Sequence, residues 1–132
     1  MNICEYPFPE APADSGYCVF PDTLENDELV LFHASPAINF DSITKCGFKA
    51  ADSTGVNGLS SVSFAKRSVS ALTHAMTKRQ TVPGKYHIFM VRYASLNHKG
   101  VTVNICDIHD RVLDPAPVII GYCVVPTSYN HI

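Results

Sequence analysis

Hydrophobic residues along this chain fall into short runs separated by polar and proline-rich breaks. Leu29 to Phe32 is a four-residue apolar run, Val62 to Ala65 is a short strand candidate, and Tyr86 to Tyr93 is dense in aromatic and β-branched residues without Pro or Gly. Those lengths and residue types predict strands. Val101 to Cys106 and Val118 to Val125 predict two more, the last of them fully buried. After the first run, Ala37, Phe40 and Ile43 recur at helical spacing. Ser35 is placed to cap that helix, Pro36 suits its first position, and Gly47 supplies its stop. A second helix is predicted over Ser68 to Arg79, with Val69, Leu72 and Met76 on one face and Lys78 and Arg79 complementing its C-terminal dipole.

The order is therefore strand, helix, loop, strand, helix, and then at least three strands. Strands that follow segregated helices predict an α+β class with a mainly antiparallel or mixed sheet rather than a doubly wound parallel one. Residues 1–27 are rich in proline and acidic side chains and predict an extended arm, with one short strand at Tyr17 to Phe20. Residues 28–132 make up the single domain that a chain of 132 residues accommodates. Phe48 to Ser60, which contains Asp52, Ser53, Gly55, Asn57 and Gly58, has loop composition, and long loops within compact domains are often functional.

Composition narrows the function classes. The net charge is −2 and no basic run exceeds Lys78-Arg79, which argues against an electrostatic grip on nucleic acid. No apolar stretch approaches the roughly 18 residues that span a bilayer. The N-terminal residues lack the apolar core of a secretory signal, so a soluble, cytoplasmic protein is expected. Five cysteines at wide spacing, without a C-x-x-C pair, predict free thiols in a reducing compartment, with a Cys4–Cys18 bridge as the one alternative. The six histidines form no H-x-x-x-H pair, so no metal is expected. G-x-G-x-x-G and the P-loop pattern are absent, and without a G-x-S-x-G elbow a Ser–His–Asp hydrolase is the weakest idea. His87, Tyr86, Phe89 and Tyr93 read as sheet core, Cys123 as an inert buried thiol, and Asp107, Asp110 and Asp114 as solvated loop residues. His33, at a strand end before a small residue and a turn, is a place to hold a polar ligand and equally an ordinary capped turn.

Four stretches together resemble the catalytic domain of poly(ADP-ribose) polymerases and related ADP-ribosyltransferases. Leu31 to Phe48, LFHASPAINFDSITKCGF, is similar to the family's L-F/Y-H-G-S/T-x-x-x-N-x-x-x-I-x-x-x-G-F. Ser60 to Ala75 is similar to G-I/V-Y-F-A-x-x-x-x-x-S-x-x-Y-A, and Lys85 to Leu96 falls where the family has the strand before its acceptor-side loop. His109 to Ile132 resembles the final strand, E-Y-V-V-Y, and its tail. The resemblance covers about three-quarters of the chain. It implies a split, mainly antiparallel β-sheet with flanking helices that binds NAD, as substrate, in a cleft between its halves.

Carried over residue by residue, the resemblance makes His33 the ribose anchor and Ala34 the residue whose backbone clasps the nicotinamide amide, with Ser35 fixing the loop. Ala34 stands where the family has Gly, which keeps the backbone contacts. Ser63 stands at the family's first stacking Tyr, so one aromatic wall is missing. His74 stands at the second and still offers a flat π face. The serine that binds the carboxamide falls at Ala71, with Ser70 one residue and about 100° of helix away. The glutamate of chain-elongating members falls at Gly121, which argues against poly(ADP-ribose) extension, since a general base is missing there. Asp107, Asp110 and Asp114 are the nearest carboxylates in sequence. Two readings follow: an NAD-dependent mono-ADP-ribosyltransferase, with His33 and Ser63 at the reacting centre and a protein as one acceptor class, or a catalytically inactive binding module for a protein or nucleotide partner.

Overall fold

In a computed structural model of the chain, residues 3–48 and 61–129 are described; the loop expected over Phe48 to Ser60 lies almost wholly outside them. Seven strands form one sheet: β1 (Cys4–Tyr6), β2 (Val30–Pro36), β3 (Val62–Ala65), β4 (Tyr86–Arg92), β5 (Val101–Val103), β6 (Asp107–Asp110) and β7 (Val118–Val125). Their spatial order is β1-β7-β4-β2-β3-β6-β5, antiparallel throughout except for the β1–β7 pair. Among the described residues three α-helices flank it, α1 (Asp22–Glu25), α2 (Phe40–Cys46) and α3 (Ser68–Arg79). The α+β class and the mostly antiparallel sheet agree with the expectation from sequence. No helix among the described residues is long and apolar enough to cross a membrane.

The sheet is joined unevenly. β2 pairs with β4 from Val30↔Arg92 to Pro36↔Tyr86, and β4 with β7 along its whole length, whereas β2 meets β3 at Phe32↔Ala65 alone. The four strands β1-β7-β4-β2 and the three strands β3-β6-β5 thus meet at one residue pair. Side chains alternate across the pleat, so each face has its own core. Phe32, Ile88, Met90 and Cys123 pack beneath α3, through Ala71, Leu72 and Ala75. Leu31, Phe64, Phe89 and Val91 pack on the other face with Phe40 and Ile43 of α2. Burial pushes the Cys123 thiol up to about 12, and the cysteines are free thiols.

The N-terminal arm is bound through chemistry rather than wrapped loosely. Glu25 is buried, and its carboxylate accepts hydrogen bonds from the Ser68 backbone N–H (3.0 Å), the Ser68 hydroxyl and the Phe20 N–H (3.4 Å). Ser68 Oγ in turn accepts from the Val19 N–H at 2.9 Å. A carboxylate at the first turn of α3 satisfies donors that have no partner within the helix and complements its dipole. Val19 and Phe20 are thereby held in the core.

Several local expectations are corrected. Ser35 caps no helix: it lies in β2, paired with His87, because β4 continues to offer ladder partners as far as Tyr86. Its Oγ accepts from Asn39 Nδ2 at 3.1 Å. The chain then makes a 3-10 turn over Ala37–Asn39, and α2 begins only at Phe40. Gly47 does end α2, at φ +79°. Tyr17 to Phe20 forms no strand; the edge is supplied by β1 instead. The buried stripe of α3 is Ser68, Ala71, Leu72 and Ala75, rotated from Val69–Leu72–Met76 so that the small alanines meet the sheet. β7 alternates between buried and partly exposed positions rather than being buried throughout. The strand expected to run to Cys106 stops at Val103, and a hairpin returns as β6. Asp110 is buried: it accepts from the Tyr93 hydroxyl at 2.8 Å and from the N–H groups of Val112 and Leu113 at 3.0 and 2.9 Å.

Because Glu25 satisfies buried donors from two segments, Glu25→Ala should lower unfolding free energy by about 2–3 kcal/mol. Urea denaturation of the two proteins measures it; an unchanged midpoint would show that water replaces the carboxylate freely.

Candidate functional site

Where β2 and β3 separate beyond their one shared pair, a cavity of about 250 Å3 opens under the N-terminal half of α3. Its lining comes from four elements: His33 and Ala34 on β2, Ser63 on β3, Ser70, Ala71 and His74 on α3, and Asp107 on β6 with Cys106 just before it. Five residues singled out from sequence, His33, Ala34, Ser63, Ser70 and His74, are therefore brought together. Ser70 and Ala71 both reach the cavity, so the one-residue offset on the helix leaves a hydroxyl at its wall.

His33 sits at the parting of the strands. Its Nδ1 lies 2.7 Å from the Ser63 carbonyl oxygen, and since a carbonyl can only accept, Nδ1 carries the proton and Nε2 keeps its lone pair. Burial holds the His33 pKa below its usual value, the Ser63 carbonyl opposes that, and the charges of His74 and Lys78 add to the lowering. The imidazole is thus a neutral acceptor. It is flanked by Phe48 edge-on at 5.0 Å and by Phe64 at 5.7 Å, and it also borders a second cavity lined by Ser35, Asn39 and Phe48.

Ser63 ties the site together. While its carbonyl holds His33, its Oγ lies 2.8 Å from His109 Nδ1, and His109 Nε2 lies 3.4 Å from Asp107 Oδ2. Asp107 Oδ1 accepts from Asn104 Nδ2 at 2.9 Å. From sequence, Asp107 reads as a solvated loop residue, and His109 has only its neighbour Asp110 as a candidate partner, on the opposite face of an extended chain. The signal that could have found them is the alternation Asp107-Ile108-His109-Asp110, which places Asp107 and His109 on one face of a strand and Ile108 and Asp110 on the other.

Two carried-over residues lie elsewhere. Ser35 lines the neighbouring cavity, not this one. Gly121 lies on β7, beyond β4 from β2, paired with Cys4 and Met90. A Cβ added there would meet Tyr6 Cε1 at 2.7 Å and the Cys4 carbonyl oxygen at 3.1 Å, so its glycine is explained by the close approach of β1. The carboxylate that does reach the cavity is Asp107, from β6. His87 is buried among Phe40, Phe89 and Tyr122, and its Nδ1 has no hydrogen-bond partner among the described residues. No group of three or more His, Cys, Asp or Glu side chains suited to a metal ion occurs among the described residues.

No protein-family model, curated protein or solved structure matches this chain.

Burial lowers the pKa of both His33 and His87 from 6.5. Below that value the unfolded chain takes up protons that the folded one refuses, so stability rises with pH through this window and is lost as pH falls. Denaturant midpoints should drop as pH is lowered from about 7 to about 5. His87→Phe should flatten the slope, and an unchanged slope would contradict the assignment.

Proposed function

We propose that the cleft between β2 and β3 binds NAD and that the protein is an NAD-dependent mono-ADP-ribosyltransferase. The observation that carries this reading is the convergence of His33, Ala34, Ser63, Ser70 and His74, chosen by motif from two separated stretches, on one cavity. Its volume of about 250 Å3 is below the roughly 300–1,000 Å3 of sites that enclose a whole drug-sized ligand. That suits the nicotinamide riboside half of the dinucleotide, with the remainder lying outside.

Each lining group has work consistent with cleaving the nicotinamide–ribose bond. The free Nε2 of His33 accepts a hydrogen bond from a ribose hydroxyl. In this reading the backbone of Ala34 and the Ser70 hydroxyl bind the carboxamide, and the His74 ring offers a stacking face. As the bond breaks, positive charge develops on the ribose, and the Asp107 carboxylate is the lining group able to stabilise it. In this reading Asp107 supplies the negative charge that Gly121 cannot.

A second reading, a binding module without turnover, is favoured by Ser63, which leaves one side of the nicotinamide position without an aromatic wall. Nicotinamide release and thermal shift, followed together for wild type and His33→Ala, separate the two. A transferase should release nicotinamide, with the variant slowed roughly 10- to 100-fold, as for a lost buried hydrogen bond. A shift without release supports the binding module, and neither signal overturns both.

A further inference from the structure

We propose that Ser63, His109 and Asp107 form a relay that turns the Ser63 hydroxyl into a nucleophile facing the cleft. Ser63 and His109 are direct cross-strand partners in the β3–β6 ladder, and Asp107 lies two residues before His109 on the same face. The proton positions follow from chemistry. His109 Nε2 faces the Asp107 carboxylate at 3.4 Å, an ion-pair distance rather than a formed hydrogen bond, and since an ionised carboxylate only accepts, the relay requires that nitrogen to carry the hydrogen. Nδ1 then holds the lone pair, and the Ser63 hydroxyl 2.8 Å away donates to it. A base on the hydroxyl and a carboxylate fixing the base is the arrangement that activates serine nucleophiles, and it is recognised by geometry rather than by sequence order. Asn104, bonded to the other oxygen of Asp107, holds the carboxylate in place. Ser63 is further immobilised through its backbone, because its carbonyl accepts from His33. Both Ser63 and Asp107 line the cavity, so an electrophile bound there meets the hydroxyl.

The relay stands on this geometry. The carbon it attacks, C1′ of the nicotinamide ribose, rests on the NAD reading. In that step the bond from C1′ to the pyridinium nitrogen breaks and neutral nicotinamide leaves. A bond from C1′ to Ser63 Oγ forms, and the serine proton passes to His109 Nδ1. The positive charge lost with the pyridinium reappears on the imidazolium, beside the Asp107 carboxylate. The product is an O-glycoside, ADP-ribose linked through C1′ to Ser63 Oγ, and no other reactant is required. His109 is the base; toward Ser63, Asp107 acts through His109 as a positioning residue, in addition to its charge at the cavity wall.

Two measurements test this. In the first, the protein is treated with a fluorophosphonate probe: Oγ attacks phosphorus, fluoride leaves, and mass spectrometry of peptides locates the adduct. Ser63 should react far faster than the exposed Ser128, and Ser63→Ala should abolish the adduct. His109→Ala should slow it about a hundredfold, with partial rescue by added imidazole, which a purely structural defect would not show. Asp107→Asn should slow labelling and Asp107→Glu should retain most of it. Ser63 labelling no faster than Ser128, or unaffected by His109→Ala, overturns the relay. In the second measurement the protein is incubated with NAD. ADP-ribose on Ser63, lost in His109→Ala, supports the full step. Nicotinamide release with Ser63 unmodified and His109→Ala unimpaired overturns attack by Ser63. Rapid His109-dependent probe labelling without NAD binding or nicotinamide release leaves the relay standing and overturns the NAD reading.

Discussion

The site depends on one interruption in a hydrogen-bond ladder. β2 and β3 share the pair Phe32↔Ala65 and then separate. A backbone carbonyl at the end of a ladder needs another donor. At Ser63 the partner is the His33 imidazole, 2.7 Å away. A side chain thus stands in for a backbone N–H, letting the strands part without stranding a polar group. The same contact sets the tautomer of His33. Opening the sheet and preparing the acceptor nitrogen are one event.

The rest of the fold keeps that opening rigid. β4 is buried on both faces from Tyr86 to Val91 and carries the larger half of the sheet. α3 lies close to β2 because Ala71 and Ala75 face it. That close approach brings Ser70 and His74 to the cavity edge. The helix start is held by Glu25 from the N-terminal arm. Residues far apart in sequence therefore fix the wall of the cleft, and the arm contributes to the site without touching it.

Much of the fold was legible because strand lengths and β-branched runs report burial directly. β3, β4, β7 and α3 fell where periodicity placed them, α3 to the residue. Elements set by pairing rather than by their own composition were not legible. Ser35 and Pro36 have helix-start chemistry, yet β4 draws them into the sheet. Cys4 to Tyr6 has no strand signature and is recruited by the edge of β7. β6 reads as polar because its four residues alternate between a buried aspartate and side chains at the cleft. The lining of the cavity was legible in part for the same reason. His33, Ser63, Ser70 and His74 sit on segments with recognisable patterns, while His109 and Asp107 gain their positions only from the β3–β6 register. Gly121 was matched by its place in a motif, and its surroundings are those of a strand crossing beneath Tyr6.

The most direct test of the cleft as a nucleotide site is a titration of the 15N-labelled protein with NAD, followed residue by residue through amide and histidine side-chain NMR shifts. Shifts that saturate and cluster at Ala34, Ser63, Ser70 and His74, with the His33 Nε2 resonance moving as its lone pair accepts a hydrogen bond, are the predicted result. Saturating shifts confined to other surfaces, or none at millimolar NAD, would contradict it.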